Sequence, residues 1–235
     1  MTTIAGKLQS VRERMAAACA AAHRQPGAVA LLAVSKTFGP QAVREAFGAG
    51  QWAFGENYIQ EAVEKMALLA DLPLQWHCIG PIQSNKTRLV AAHFDWAHTV
   101  DRLKTAQRLS LQRPEGMAPL QVCIQVNIDG GPTKAGVAPG EALALAREVA
   151  LLPGLALRGL MTLPEPLPDF ASQKALHLRA RALFDELRAA GLALDTLSMG
   201  MTADIEAAIH AGSTLVRVGT AIFGGRSTAS AASSA

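Results

Sequence analysis

A lysine closes the apolar segment VALLAVSK, residues 29 to 36. Leu32, Val34 and Lys36 share one face by the two-residue period of a strand, so an inward face carries the Lys36 amine into the protein at the strand's end. An amine in such a half-desolvated place is the nucleophile of Schiff-base lysines, which condense with carbonyl compounds. A strand-terminal lysine that snorkels to water or pairs with a carboxylate fits the same position.

Two later segments carry groups suited to an anion. SMGM, Ser198 to Met201, ends one apolar run and is expected to open a helix at Thr202, with Asp204 and Glu206 in its first turns. RVGTAIFGG, Arg217 to Gly225, ends the next run with Arg217, Gly219 and Thr220. Helix-start amides, glycines that let them approach, and the Ser198 and Thr220 hydroxyls together describe a phosphate cradle. GPIQSNKT, residues 80 to 87, is a rival. It matches a P-loop except that Asn85 replaces the second glycine, with Asp129 as the nearest stand-in for a magnesium-holding carboxylate. A polar loop with Lys86 in water accounts for it as well. His77, flanked by Trp76 and Cys78, reads as a core or pocket residue, and FGENY places Glu56 and Asn57 at a strand end as pocket groups or as a helix cap.

The elements that position these groups repeat along the chain. Ile4, Leu8, Val11 and Met15 mark an amphipathic first helix. After it, eight apolar runs alternate with helical patterns, from VALLAVSK and PQAVREAFGAG to TLVRVG and TAIFGG. Such alternation predicts a parallel sheet, and eight units in 235 residues predict an α/β fold of the closed (β/α)₈ TIM-barrel type with an extra N-terminal helix. An open doubly wound sheet is the alternative. In a barrel, ligands collect at the C-terminal strand ends and phosphate at the loops after strands seven and eight. The barrel is expected over residues 1 to 226, with residues 227 to 235, the tail TASAASSA and the serine before it, as a disordered end.

Composition narrows the function. Three widely spaced cysteines, Cys19, Cys78 and Cys123, show no metal-ligand rhythm and read as reduced thiols of a cytoplasmic protein. A net charge of +3 without basic runs argues against nucleic acid, and no apolar run reaches the ~20 residues of a membrane span. A small ligand is expected, with no metal.

AVSKTFG, FGENYIQEAVEKM, LQWHCIGPIQSNKTRLV, LRGLMTLPEP and SMGMTADIEAAIHAGSTLVRVGTAIFGGR together resemble the pyridoxal phosphate homeostasis protein family, the YggS/PROSC group, from about Val11 to Arg226. The resemblance implies a barrel similar to the N-terminal domain of alanine racemase, with pyridoxal 5′-phosphate (PLP) held as an aldimine on Lys36. It implies that Ser198, Gly200, Gly219 and Thr220 hold the phosphate and that Arg217 faces the pyridine nitrogen; Asn57 and His77 join them as cofactor-pocket residues. The implied role is a monomeric, non-catalytic carrier that holds PLP and supplies it to PLP-dependent apoenzymes. A PLP-dependent amino-acid racemase is the alternative. Two segments depart from the family pattern: GGPTKAG, whose Lys134 is a candidate relay for departing cofactor, and the pair Ala203 and Asp204, where the family carries two acidic residues.

Overall fold

The computed structural model describes residues 3–131 and 135–225. Lys134 and the 227–235 tail lie outside the described residues. Helix α1 (Ile4–Ala21) comes first, and the Thr3 hydroxyl caps it by accepting the Gly6 amide. Its buried stripe is Leu8, Val11, Met15, Ala18 and Cys19, so the helical spacing of the sequence is also its packing face.

Eight strands and the helices between them follow: β1 (Ala30–Val34), α2 (Pro40–Gly48), β2 (Ala53–Glu56), α3 (Ile59–Ala67), β3 (Gln75–Cys78), α4 (Thr87–His93), β4 (Trp96–Val100), α5 (Leu103–Gln112), β5 (Leu120–Val126), α6 (Ala142–Ala150), β6 (Leu155–Thr162), α7 (Phe170–Ala189), β7 (Thr196–Ser198), α8 (Ile205–His210), β8 (Leu215–Val218) and α9 (Thr220–Phe223). A single 3₁₀ turn, Pro139–Glu141, leads into α6. The strands pair in chain order and close, with β8 parallel to β1 from Ala30–Leu215 to Ala33–Val218. The open-sheet alternative is thereby excluded.

Outward strand residues such as Ala33, Phe54, Val122 and Val216 join helix residues in one continuous core. Burial of this apolar area, at about 25 cal/mol per Å², is the main force holding the helices on the barrel. The interior differs, because His77, His98, Ser198 and Arg217 are all buried there. The three cysteines are buried and unpaired. Among the described residues no helix is long and apolar enough to cross a membrane, and no cluster of His, Cys, Asp or Glu could hold a metal ion.

Candidate functional site

Lys36 sits on a tight turn just past β1. The Phe38 amide donates to the Ser35 carbonyl at 3.1 Å, which closes the turn, and Thr37 occupies the left-handed region at φ +67°. A β-branched residue there costs roughly 1–3 kcal/mol and persists because its surroundings hold it. Three carboxylate and ammonium groups supply the hold. Lys65 of α3 donates to the Ser35 carbonyl at 3.0 Å and to Glu56 Oε1 at 2.7 Å. The Ser35 hydroxyl donates to the same oxygen at 2.6 Å, and the Thr37 amide donates to Glu61 at 3.2 Å. The Glu56–Lys65 pair is dry, with side chains 0% and 3% exposed. Burial pushes the Glu56 carboxyl above its ordinary value, against the pull of Lys65 and Ser35.

The turn delivers Lys36 to a cavity of about 460 Å³ at the C-terminal mouth of the barrel. Val34, Asn57, Arg217, Gly219 and Thr220 line it, together with Met201 to Ala203 of the β7–α8 loop and Phe38, whose ring stacks on Phe223 of α9. Among the described residues the Lys36 ammonium has no hydrogen-bond or ion-pair partner, and Asn57 Oδ1 is buried without one. The Asn57 oxygen in particular favours a polar ligand, since a buried unpaired group costs about 1–3 kcal/mol.

Arg217 enters the cavity from the barrel interior. Its Nη1 donates to the Ser198 carbonyl at 2.8 Å and hydroxyl at 2.7 Å, and its Nη2 donates to the Thr162 carbonyl at 2.8 Å. Burial pulls its pKa down to about 10, which leaves it charged at neutral pH. The Ser198 hydroxyl lies 3.0 Å from His98 Nδ1, His98 Nε2 lies 2.9 Å from His77 Nδ1, and His77 Nε2 lies 3.0 Å from Gln75 Oε1. Burial lowers His77 to about 3 and His98 well below its ordinary value, so both rings are neutral. The Gln75 oxygen can only accept, which fixes the order: His77 donates to Gln75, His98 to His77, and Ser198 to His98, while the Ser198 oxygen accepts from Arg217.

These placements sort the expected site residues. Lys36, Asn57, Arg217, Gly219 and Thr220 meet in the cavity. Ser198, Gly200 and His77 do not line it. The Ser198 hydroxyl, expected on a phosphate, is turned inward and occupied by Arg217 and His98. His77 stacks on Trp96 deeper in the barrel. Gly200 shapes the loop, because at φ +95° a Cβ would lie 2.5 Å from that of Ala208. Thr202, expected as the start of a helix, lies instead in the turn before α8, which begins at Ile205, and it lines the cavity. Its sequence signal is a hydroxyl directly after SMGM. GPIQSNKT has a packing explanation: a Cβ on Gly80 would come within 2.1 Å of the Asn57 carbonyl oxygen, and Lys86 donates to Gln60 at the surface.

A second cavity, of about 430 Å³, lies at the opposite end between α1 and the strand starts. Its Arg12 and Gln51 are spent on backbone carbonyls of Ala49, Gly50, Leu31 and Ala53.

Replacing Lys65 with Met strands the Glu56 carboxylate. Its pKa then rises further, so the folded state binds a proton that the unfolded chain releases near 4.5, and stability falls as pH climbs through that window. Urea unfolding is expected to show a loss of about 3–5 kcal/mol at pH 8 that shrinks toward pH 5. A loss independent of pH would rule out Glu56 as the group responsible.

Comparison with known proteins extends this geometry. The alanine racemase N-terminal domain family matches residues 7–227. The pyridoxal phosphate homeostasis protein of Pseudomonas aeruginosa is 58% identical over 226 residues, 96% of this chain and 97% of that one. The structure of PipY from Synechococcus elongatus PCC7942 with PLP bound is 40% identical, with a TM-score of 0.83 over 94% of this chain and all of that one. Alanine racemase from Corynebacterium glutamicum shares the fold at 16% identity and a TM-score of 0.66, and this chain matches 63% of its length.

Proposed function

Because the chain belongs to the pyridoxal phosphate homeostasis protein family, we propose that it binds PLP at Lys36 and holds the cofactor for delivery to PLP-dependent apoenzymes instead of turning over a substrate. The observation that carries this reading is the convergence of an unpaired amine, an inward guanidinium and three threonines, Thr37, Thr202 and Thr220, on one cavity. Its volume falls within the range of about 300–1,000 Å³ usual for small-molecule sites.

Lys36 supplies the amine for the cofactor's aldehyde. Thr202 and Thr220, with the amides at the Gly219 cap of α9, are assigned to the phosphate, which replaces the expected assignment to Ser198. Asn57, with its unpaired oxygen, and Arg217, with its uncommitted N–H groups, would hold the ring, Arg217 toward the pyridine nitrogen. When bound, PLP supplies an electrophilic carbon and a ring that can accept electrons. A fixed positive charge beside the ring nitrogen opposes its protonation and weakens that capacity.

Racemisation needs acid–base groups on both faces of a substrate. Among the described lining residues there is no His, Asp, Glu, Tyr or Cys, and Lys36 and the Arg217 guanidinium are the titratable groups. Tyr58, the sequence's single tyrosine, is 52% exposed at the start of α3 and does not line the cavity.

Lys36→Ala is expected to abolish both the visible absorbance of the holoprotein and its borohydride-trapped adduct. A full adduct on another lysine would refute the assignment. Thr202→Val and Thr220→Val are each expected to weaken PLP by about 1–3 kcal/mol while leaving pyridoxal, which lacks phosphate, unaffected. Equal losses for the two ligands would remove the phosphate role. Holoprotein incubated with common L-amino acids in deuterium oxide is expected to show no α-proton exchange, while activating an apoenzyme alongside; exchange with inversion, lost in Lys36→Ala, would establish a racemase.

A further inference from the structure

The Met201–Asp204 loop forms a wall between two cavities. Met201 and Ala203 line both the cofactor cavity and a smaller one of about 40 Å³ on the α7 side. His177 of α7 borders the smaller cavity and is 2% exposed. Its Nε2 lies 2.8 Å from Asp204 Oδ2, and Asp204 Oδ1 accepts the Met201 amide at 2.6 Å. The Asp204 amide in turn donates to the Met201 carbonyl at 3.1 Å, so one carboxylate closes the loop on itself and ties it to α7. Burial alone would raise the Asp204 carboxyl, yet the His177 bond and the Met201 amide bring it below its ordinary value. It is a carboxylate, and His177 therefore carries its proton on Nε2.

His177 Nδ1 is buried with no partner. A ring that spends one nitrogen on a loop carboxylate and leaves the other unsatisfied is a poor way to fill a core, where an apolar side chain of similar size would cost less. What the arrangement secures is the loop. Thr202 stands at its centre, and its carbonyl accepts Arg14 Nη2 of α1 at 3.2 Å from the outer side. That Arg14 is half-exposed and shared with Glu206, which makes the dry His177–Asp204 contact the firmer of the two.

We propose that His177 and Asp204 are positioning residues that latch the Met201–Asp204 loop, so that the Thr202 hydroxyl is fixed for the cofactor's phosphate and the latch sets how slowly PLP leaves. This rests on the assignment of Thr202 to the phosphate. The test compares binding of PLP and of pyridoxal, dissociation of PLP into an excess of apoenzyme, and the ³¹P resonance of bound PLP. His177→Phe is expected to weaken PLP about tenfold, to speed its release by a similar factor and to move the ³¹P signal toward that of free PLP, with pyridoxal unchanged. His177→Gln, which keeps a donor near the same place, is expected to restore all three. If His177→Phe does not fold, Asp204→Asn carries the same expectation, with its helix content checked by circular dichroism. A variant that keeps the wild-type preference for PLP over pyridoxal and the wild-type ³¹P signal, while Thr202→Val loses both, would overturn the latch and leave the phosphate assignment standing. Thr202→Val with an undiminished preference would overturn that assignment and the latch with it.

Discussion

Arg217 carries a permanent charge into the interior of the barrel, where an unpaired ion costs several kcal/mol. The fold accommodates it with two carbonyls and one hydroxyl, and the hydroxyl then needs an acceptor of its own. His98 and His77 continue that demand until it reaches Gln75. Five strands, β3, β4, β6, β7 and β8, thus give up inward or terminal positions to keep one guanidinium aimed at the mouth. A half-satisfied network would be worse than an apolar filling, so these residues stand or fall together. The polar interior is a consequence of the site above it.

The Lys36 side answers a different constraint. There the buried carboxylate nearby is already paired and does not engage the Lys36 ammonium. Lys65 takes that place and neutralises Glu56 from below, while Glu61 and the Ser35 carbonyl hold the turn that lifts Lys36 clear. A second lysine dedicated to Glu56 leaves the first uncommitted. The positive φ at Thr37 is the local cost of that geometry, and it falls next to the unpaired Lys36 amine.

Much of this was legible before the structure. Strand and helix periods give the eight units, and the barrel rule places Lys36, Arg217, Gly219 and Thr220 at one mouth. A two-residue period reports which face a side chain shares, but not how deep along the barrel axis it sits. Ser198 therefore reads as a mouth residue although it is buried, and of the two readings of His77, core or pocket, the structure takes the core one. His98 gives no signal in DWAHTV, because its partners His77 and Ser198 lie on other strands, β3 and β7, and only the closed barrel brings all three together. Thr202 is obscured by a boundary: the sequence places it at the start of a helix, whereas it lies in the turn before α8 and lines the cavity. Gly80 resembled a phosphate-loop glycine for want of knowing that the Asn57 carbonyl presses against it.

The barrel closes along the seam between β1 and β8, and the cavity straddles that seam. Lys36 is made early in synthesis, whereas Arg217, Gly219 and Thr220 are among the last described residues to emerge. A growing chain therefore owns the amine long before it owns the rest of the receptor, and parallel closure between distant segments is a slow event. Retention of the cofactor becomes a property of the finished polypeptide. A ligand bound to both sides of the seam also favours the shut barrel over any form in which the first and last strands have parted, so ligand and barrel guard each other's integrity.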